Sequence, residues 1–571
     1  MLFQTDNTLR LGAVLLVAAF AYLWFNLVCE TVPDPYLDEV FHVRQAENYV
    51  KGNWHVWDPK ITTPPGLYVV SYLFAIPWQA SGLMQVDTTF FRSTNQVGAI
   101  LLAWVIYQIL HILYRNTNHD REDEGTSKDT GSTWRPTELA HAAINICLFP
   151  PLFFFYGLYY TDVLSAVSVL LVYKYFLVER HPAVIIAAGL FSLLFRQTNV
   201  LWVAVFLGGL AFCRAIPKGQ QDANLFNEPT FLNILQASWR HASAYDPPIS
   251  EASFEDYIKA GLSFAVAGVA SGPDVLRPLG PYLVILGVFV QYVLWNGGVV
   301  LGDKENHVVS IHLAQMLYLW ACFAFFSLPL LYPYLITILP NTTLPSALRL
   351  SSIKSRLPRA LVSDCIMTIM LAIAYHNTLI HPFTLADNRH YTFYVFRILL
   401  RRPSIKYLAV PTYFFCAWAA VAALGGQNAY NQQPTRKKLS KQRRQGMAIL
   451  PSSPASDLRV SFLLIWLLAT AASLVTTPLV EPRYFVVPWL MWRLHVAPLR
   501  LDPPTTPSSS NRAGSGKVKG IVEKVLYSTH DHRLWLETVW LLAINMATGY
   551  IFLKWGFEWP QEPGSVQRFM W

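Results

Sequence analysis

The chain has 571 residues, of which 53% are hydrophobic and only 14% charged, with a mean hydropathy of +0.32. Soluble domains carry about 25% charged residues, so an ordinary soluble globular protein is excluded and a bilayer is the expected solvent. The formal net charge of +9 would suit a nucleic-acid binder, but no basic groove interleaved with aromatics is visible, and much of the positive charge sits in loops, where it sets membrane orientation.

A spanning helix needs about 20 mostly apolar residues. The first such run, Leu11–Cys29, follows Arg10. It is too long for the apolar core of a signal peptide and ends in Cys29-Glu30, so it reads as a retained anchor. The segment 30–95 then forms a first loop. Within it Leu67–Leu83 is apolar but interrupted by Pro77, and either spans or lies on the membrane surface. Further candidates are Gln96–Tyr114, Leu139–Gly157, Val163–Val178, the shorter Pro182–Phe195, and Val200–Arg214. Ala260–Ala270 is too short to span comfortably. Pro281–Val300, Ile311–Leu339, Leu361–Ile380, Tyr407–Leu424, Val460–Thr476, Val486–His495 and Leu534–Leu553 complete the series. The sum is about 12 to 14 spans, an all-α polytopic membrane protein built as one domain over 1–571. Trp and Tyr flank many of the runs, as interfacial belts do.

Three stretches, 116–135, 218–249 and 502–519, read as solvated, low-complexity cytosolic insertions. Basic clusters at Arg436–Arg444, Lys354–Arg359 and Lys517–Lys524 belong inside. That places the N-terminus inside and the first loop outside. Asp162, Asp303, Asp387 and Glu481 join the first loop there if Leu67–Leu83 does not span. The sequon Asn341-Thr342-Thr343 then falls on the cytosolic side. The cysteines Cys29, Cys147, Cys213, Cys322, Cys365 and Cys416 form no CxxC pair or metal spacing and read as small buried hydrophobes.

The first loop is the richest in chemistry. It reads Pro35-Tyr36-Leu37-Asp38-Glu39-Val40-Phe41-His42 and, further on, Trp57-Asp58-Pro59-Lys60-Ile61-Thr62-Thr63-Pro64-Pro65-Gly66. A carboxylate beside a membrane helix can serve as a general base; the plain alternative is a solvated loop. Asp162 is either a helix N-cap or a second site carboxylate. Arg196, between two apolar runs, either snorkels or meets an anion. His381, Asp387, Asn388, Arg389 and His390 are crowded together, and Glu481-Pro482-Arg483-Tyr484 repeats the pattern. Arg and His can hold a phosphate by charge-assisted hydrogen bonds. No HExxH, DxD, Walker or GxGxxG motif is present, and no cofactor or metal is expected. The set suits a transferase with a phosphate-linked donor: one base and a cationic clamp. A polytopic transporter or channel for a lipid-linked or anionic solute is the competing reading.

The first-loop segments, Phe195-Arg196-Gln197-Thr198-Asn199, Ala386-Asp387-Asn388-Arg389-His390-Tyr391-Thr392-Phe393-Tyr394 and Gln567-Arg568-Phe569-Met570-Trp571 resemble one family nearly end to end. It is the endoplasmic-reticulum dolichol-pathway α-1,2-glucosyltransferase. The resemblance implies a GT-C fold with a lumenal active site, and a surface-lying helix after the Pro-Pro-Gly turn. The implied donor is dolichyl phosphate β-glucose. The implied acceptor is the diglucosylated, mannose-rich oligosaccharide on dolichyl pyrophosphate, glucosylated with inversion. Carried onto this chain, the resemblance makes Asp38 the expected base, with Glu39 second and Asp162 a further catalytic carboxylate. Asp58 is a weaker candidate for the base, expected to orient the loop and to stand on the substrate and phosphate side. His42, Arg196, Asp387, Arg389, His390 and Arg483 are expected on the substrate and phosphate side.

Overall fold

A computed structural model describes residues 2–81, 86–122, 135–218, 230–302, 304, 310–338, 357–378, 382–425, 458–477, 479–499, 530–559 and 562–571. The chain is a bundle of helices running between two ends. One end, the site end, gathers the first loop; the other is the far end.

Helix α1 (Leu2–Thr31) rises to the site end. Ala13, Val17, Ala21, Trp24 and Val28 form a buried stripe at helical spacing, while Leu11, Leu15, Tyr22 and Leu23 stay exposed. In lipid, exposed leucine carries no penalty, and helices associate instead through close packing of small residues. Accordingly Gly157 and Gly549 both lie against the Trp24 ring, whose Nε1 donates to Phe154 O at 2.8 Å. The first loop carries α2 (Glu39–Val50) and α3 (Gly66–Ser81). Helix α4 (Thr88–Glu122) leaves the site end antiparallel to α1. Helix α5 (Pro136–Cys147) returns, then bends by 62° into Pro150–Gly157 at a Pro-Pro step that no straight helix tolerates.

Helices α6 (Asp162–Leu177) and α7 (Pro182–Leu193) form an antiparallel pair. A π-helical turn, Leu201–Phe206, leads into α8 (Leu207–Ala215) and the far end. There α9 (Phe231–His241) packs on α10 (Phe254–Ala270). Helix α11 (Leu276–Asn296) comes back to the site end, where Leu301 N donates to Thr62 O at 3.2 Å. Helices α12 (Gln315–Phe326) and α13 (Leu328–Ile336) are bent by 99° at Ser327. They are followed by α14 (Ala360–His376), α15 (Tyr391–Leu399), α16 (Val410–Leu424), α17 (Val460–Val475), α18 (Val486–Leu494) and α19 (His532–Lys554). A small antiparallel hairpin, β1 (Phe557–Trp559) and β2 (Glu562–Gln567), ends the chain at the site end.

By length and composition 6 helices can cross a membrane, or up to 8 if each bent pair is one span, among the described residues. This falls short of the 12 to 14 expected. The difference lies in shorter apolar helices such as Pro182–Leu193, Ala360–His376 and Val460–Val475, each under 18 residues. The described part of Leu67–Leu83 falls among the shorter apolar helices. Helix α3 stays at the site end, with Gly66 N donating to Leu194 O at 2.7 Å and Ser71 Oγ 2.7 Å from Tyr159 Oη.

Residues 116–122 continue α4. One of the expected solvated insertions, 218–249, needs correction. The described part of 218–249 is folded and packed: Ser238 Oγ lies 2.7 Å from Ser263 Oγ. Asp246 is fully buried, accepting from Ser461 N at 2.9 Å and Ser461 Oγ at 2.7 Å and pairing with Lys218 Nζ at 3.0 Å. A carboxylate there satisfies the first amides of α17, which a solvated loop would leave undone. The stretch 502–519, Asp303, His381, Asn341 and the basic residues 436–444 lie outside the described residues. Cys365 is exposed, and Cys29 and Cys322 are only partly covered, unlike the buried Cys147, Cys213 and Cys416.

Candidate active site

Asp38 stands at the N-cap of α2, yet its carboxylate makes no capping bond. It turns outward, 52% exposed, with Oδ2 3.5 Å from both Nη atoms of Arg483. The preceding residue, Leu37, has φ +53°, a left-handed conformation costing about 1–2 kcal/mol for a residue with a Cβ. Such strain persists only where surroundings enforce it.

Arg483 comes from the short turn Pro482–Phe485 before α18. It also pairs with Glu481 and lies 6.0 Å from the centroid of the Tyr160 ring. Burial alone would pull its pKa down, but Glu481, Tyr484, Asp38 and Asp162 outweigh burial and hold it well above the usual guanidinium value. Arg483 is therefore a permanent cation.

Asp162 begins α6, with Thr161 as the N-cap; it is not itself the cap. Its buried carboxylate favours the positive helix end and pairs with Arg196 Nη2 at 2.9 Å. Arg196 Nε reaches Thr161 Oγ1 at 3.3 Å. Arg196 is thus held inside the site and does not snorkel. The turn 196–199 is fixed by Gln197 Nε2 donating to Thr62 O at 2.7 Å and by Asn199, which accepts from Ser165 Oγ at 2.9 Å.

His42 lies one turn along α2 from Asp38, its Nδ1 2.6 Å from Tyr68 Oη and its ring 5.8 Å from that of Tyr160. Burial pushes its pKa down to about 4; Asp38 opposes this, while Arg483 and Arg196 add to it. His42 is therefore a neutral hydrogen-bonding group.

Asp58 accepts from Lys60 N at 3.0 Å, and its own N donates to Gln45 Oε1 at 3.0 Å; it shapes the turn from Trp57 to Ile61. Glu39 differs from its expected role. It is fully buried and bonded to Arg92 Nε at 2.8 Å and Nη2 at 2.7 Å.

Asp387, Arg389 and His390 form a neighbouring knot against the chain's last residues. Arg389 grips Asp387 through Nε and Nη2, both at 2.8 Å, reaches Gln567 Oε1 at 3.0 Å, and stacks 4.6 Å from the Trp559 ring. Burial would raise the Asp387 pKa, but the Arg389 hydrogen bonds hold it below the usual carboxylate value. Met570 N donates to Arg389 O at 2.9 Å, and Tyr391 N to Met570 O at 3.2 Å. Tyr36 joins this knot to the first loop: its Oη donates to Arg568 O and accepts from Arg568 N, each at 2.7 Å.

The structure thus brings Asp38, His42, Asp162, Arg196 and Arg483 together, sets Asp387, Arg389 and His390 beside them, and buries Glu39 in an ion pair with Arg92. Sequence reasoning missed Arg92, Tyr68, Tyr160 and Tyr36. Arg92 carried a usable signal: a cation at the start of a long apolar helix needs a partner. Among the described residues no three His, Cys, Asp or Glu side chains converge as a metal-binding group.

A helical bundle with membrane-spanning segments and a carboxylate–guanidinium site at one end defines a polytopic membrane protein of one architecture. Residues 32–494 match the DIE2/ALG10 family, and the chain belongs to that family. It is 41% identical to an Aspergillus fumigatus protein over 98% of this chain and 97% of that one, and 40% identical to one from Emericella nidulans over 96% of each. Both relatives are named Dol-P-Glc:Glc(2)Man(9)GlcNAc(2)-PP-Dol alpha-1,2-glucosyltransferase. An Arabidopsis thaliana protein of the same name is 30% identical over 98% of this chain. The crystal structure of the Archaeoglobus fulgidus oligosaccharyltransferase overlaps loosely, with a TM-score of 0.34 and 13% identity over 95% of this chain and 54% of that one.

Proposed function

We propose that this protein transfers glucose from dolichyl phosphate β-glucose to the diglucosylated, mannose-rich oligosaccharide on dolichyl pyrophosphate, forming the terminal α-1,2 linkage with inversion. The near full-length identity to relatives named for this reaction supports it. The observation in the molecule that carries the mechanism is the half-exposed carboxylate of Asp38 beside the partly buried cation Arg483.

The 2-hydroxyl of the acceptor's terminal glucose attacks the anomeric carbon. Asp38 takes its proton as the new C–O bond forms. The bond from that carbon to the phosphate oxygen breaks on the opposite face, and dolichyl phosphate leaves. Its negative charge is met by Arg196, pre-oriented by Asp162, so that little reorganisation is needed as charge develops, while Arg483, paired with Glu481 and 3.5 Å from Asp38, holds the base in place on the attacking side. Arg389 and His390, already engaged with Asp387 and the C-terminal segment, shape the neighbouring wall and add positive potential. A transporter finds no support in the family membership. The site end faces the lumen of the endoplasmic reticulum in this reading, and the far end the cytosol.

Asp38→Asn keeps size and removes the base. Turnover with dolichyl phosphate glucose and purified acceptor should fall by roughly 10²–10⁴-fold, with the protein still folded in nanodiscs. Parental turnover in that variant would remove Asp38 as the base.

A further inference from the structure

The geometry points to a second layer of control on the reaction: we propose that the buried pair Glu39–Arg92 is a positioning device that locks the loop bearing Asp38 to the loop bearing Asp162. This rests on the reading of Asp38 as base, but the device is defined by its own contacts.

A carboxylate offers about four lone-pair sites, and Glu39 fills all four. Oε1 accepts from Arg92 Nε at 2.8 Å and from Tyr159 N at 2.7 Å; Oε2 accepts from Arg92 Nη2 at 2.7 Å and from Tyr36 N at 3.0 Å. Both side chains are 0% exposed. Arg92 uses its remaining reach on Val32 O at 2.6 Å and Asp34 O at 3.1 Å. One ion pair therefore holds five separate points: the end of α1, the strained turn 34–37, the start of α2, the start of α4 and the loop at Tyr159.

The consequences follow by chain connectivity. Asp38 is the residue before Glu39. Leu37, left-handed at φ +53°, lies between the Tyr36 amide that Glu39 binds and Asp38. Tyr159 is followed by Tyr160, which lies under Arg483, and then by Thr161 and Asp162, which hold Arg196. Loss of the pair would let the strained turn relax and let the two loops slide. Asp38 would stay near Arg483 while losing its register with Asp162 and Arg196. A misplacement of about 1 Å at such a site costs about 10²-fold in rate.

The test compares Glu39→Asp, Glu39→Gln, Arg92→Gln and the double variant Glu39→Gln/Arg92→Gln with Asp38→Asn, all as the full chain in nanodiscs. Readouts are kcat, KM for each substrate, the pH–rate profile and the melting temperature. The expected result is a fall in kcat of about 10²-fold for Glu39→Gln and for Arg92→Gln alike. The double variant should be no worse than the poorer single, the donor KM near parental and the acidic limb of the pH profile unmoved. Glu39→Asp keeps the charge pair but shortens its reach; it should stay folded and lose kcat by about 10-fold or more. Parental kcat in Glu39→Asp and in the folded double variant would overturn the proposal. So would loss confined to the Glu39 variants with Arg92→Gln fully active, because Glu39 would then act on substrate directly. If Asp38→Asn keeps turnover while the pair variants lose it, the base assignment fails and the positioning device stands.

Discussion

His42 sits one helical turn from Asp38 with its ring nitrogen on Tyr68, and this burial has a pH signature. An unfolded histidine titrates near 6.5, whereas His42 in the folded protein titrates at about 4. Between those values the unfolded chain binds a proton that the folded chain refuses. The stability owed to neutral His42 is complete above about pH 6.5 and is lost as pH falls toward 4. His42→Asn, which keeps a polar group without the titration, should flatten the fall in melting temperature across that window relative to the parent. Identical pH dependence in the two proteins would show that His42 is not held neutral. The same residue illustrates what a sequence can and cannot say. His42 was visible as a polar residue next to an acidic pair, and a phosphate ligand was the natural reading. Only its packing between Tyr68 and Tyr160 makes it an uncharged hydrogen-bonding group.

At the scale of elements, the first loop owes its position to a close approach that hydropathy cannot register. Helix α3 docks where Gly66 meets the end of α7, and a Cβ on Gly66 would run into the Leu194 carbonyl, which is backbone and cannot swing aside. The same amide, Gly66 N, donates to that carbonyl at 2.7 Å. Gly66→Ala should push α3 off α7. With it would move Tyr68, the partner of His42, and Thr62, the acceptor for Gln197 beside Arg196. The expected outcome is a loss of turnover of at least about 10-fold, with faster hydrogen exchange in residues 60–75. Parental exchange and turnover together would mean the contact yields without cost. Apolar length likewise explains why Leu67–Leu83 stayed ambiguous in the sequence, since a surface helix and a short span have the same composition. Its placement is decided by polar contacts of Ser71 with Thr94 and Tyr159.

Across the whole molecule, apolar runs located the long helices, because each must satisfy its own backbone in lipid, but not α2, α9 or α15. They could not pair them. Asp38 and Arg483 are 445 residues apart in sequence, and the members of the site were legible one by one, as polar residues at helix ends, but not as neighbours. The far end was less legible still, because its polar groups are spent on each other. Arg493 Nε and Nη2 bind the two oxygens of Glu537, each at 2.7 Å, with both side chains fully buried. Asn145 adds a bond to Glu537 at 3.0 Å, and Asp531 N donates to Glu138 at 3.0 Å. This network joins α5, α18 and α19, tying the chain's first third to its last helix. Removing one partner strands a buried charge, which costs about 3–5 kcal/mol, whereas replacing both with apolar groups is often neutral. Glu537→Ala should therefore melt well below the parent, and Arg493→Met/Glu537→Leu should recover most of the loss. Because the network lies at the end opposite Asp38, donor KM and kcat of the folded fraction should not change in either protein. A single variant as stable as the parent would mean water or lipid headgroups reach Arg493. A double variant as unstable as the single would mean that its remaining neighbours, Asn145 among them, need the charges as much as the charges need each other.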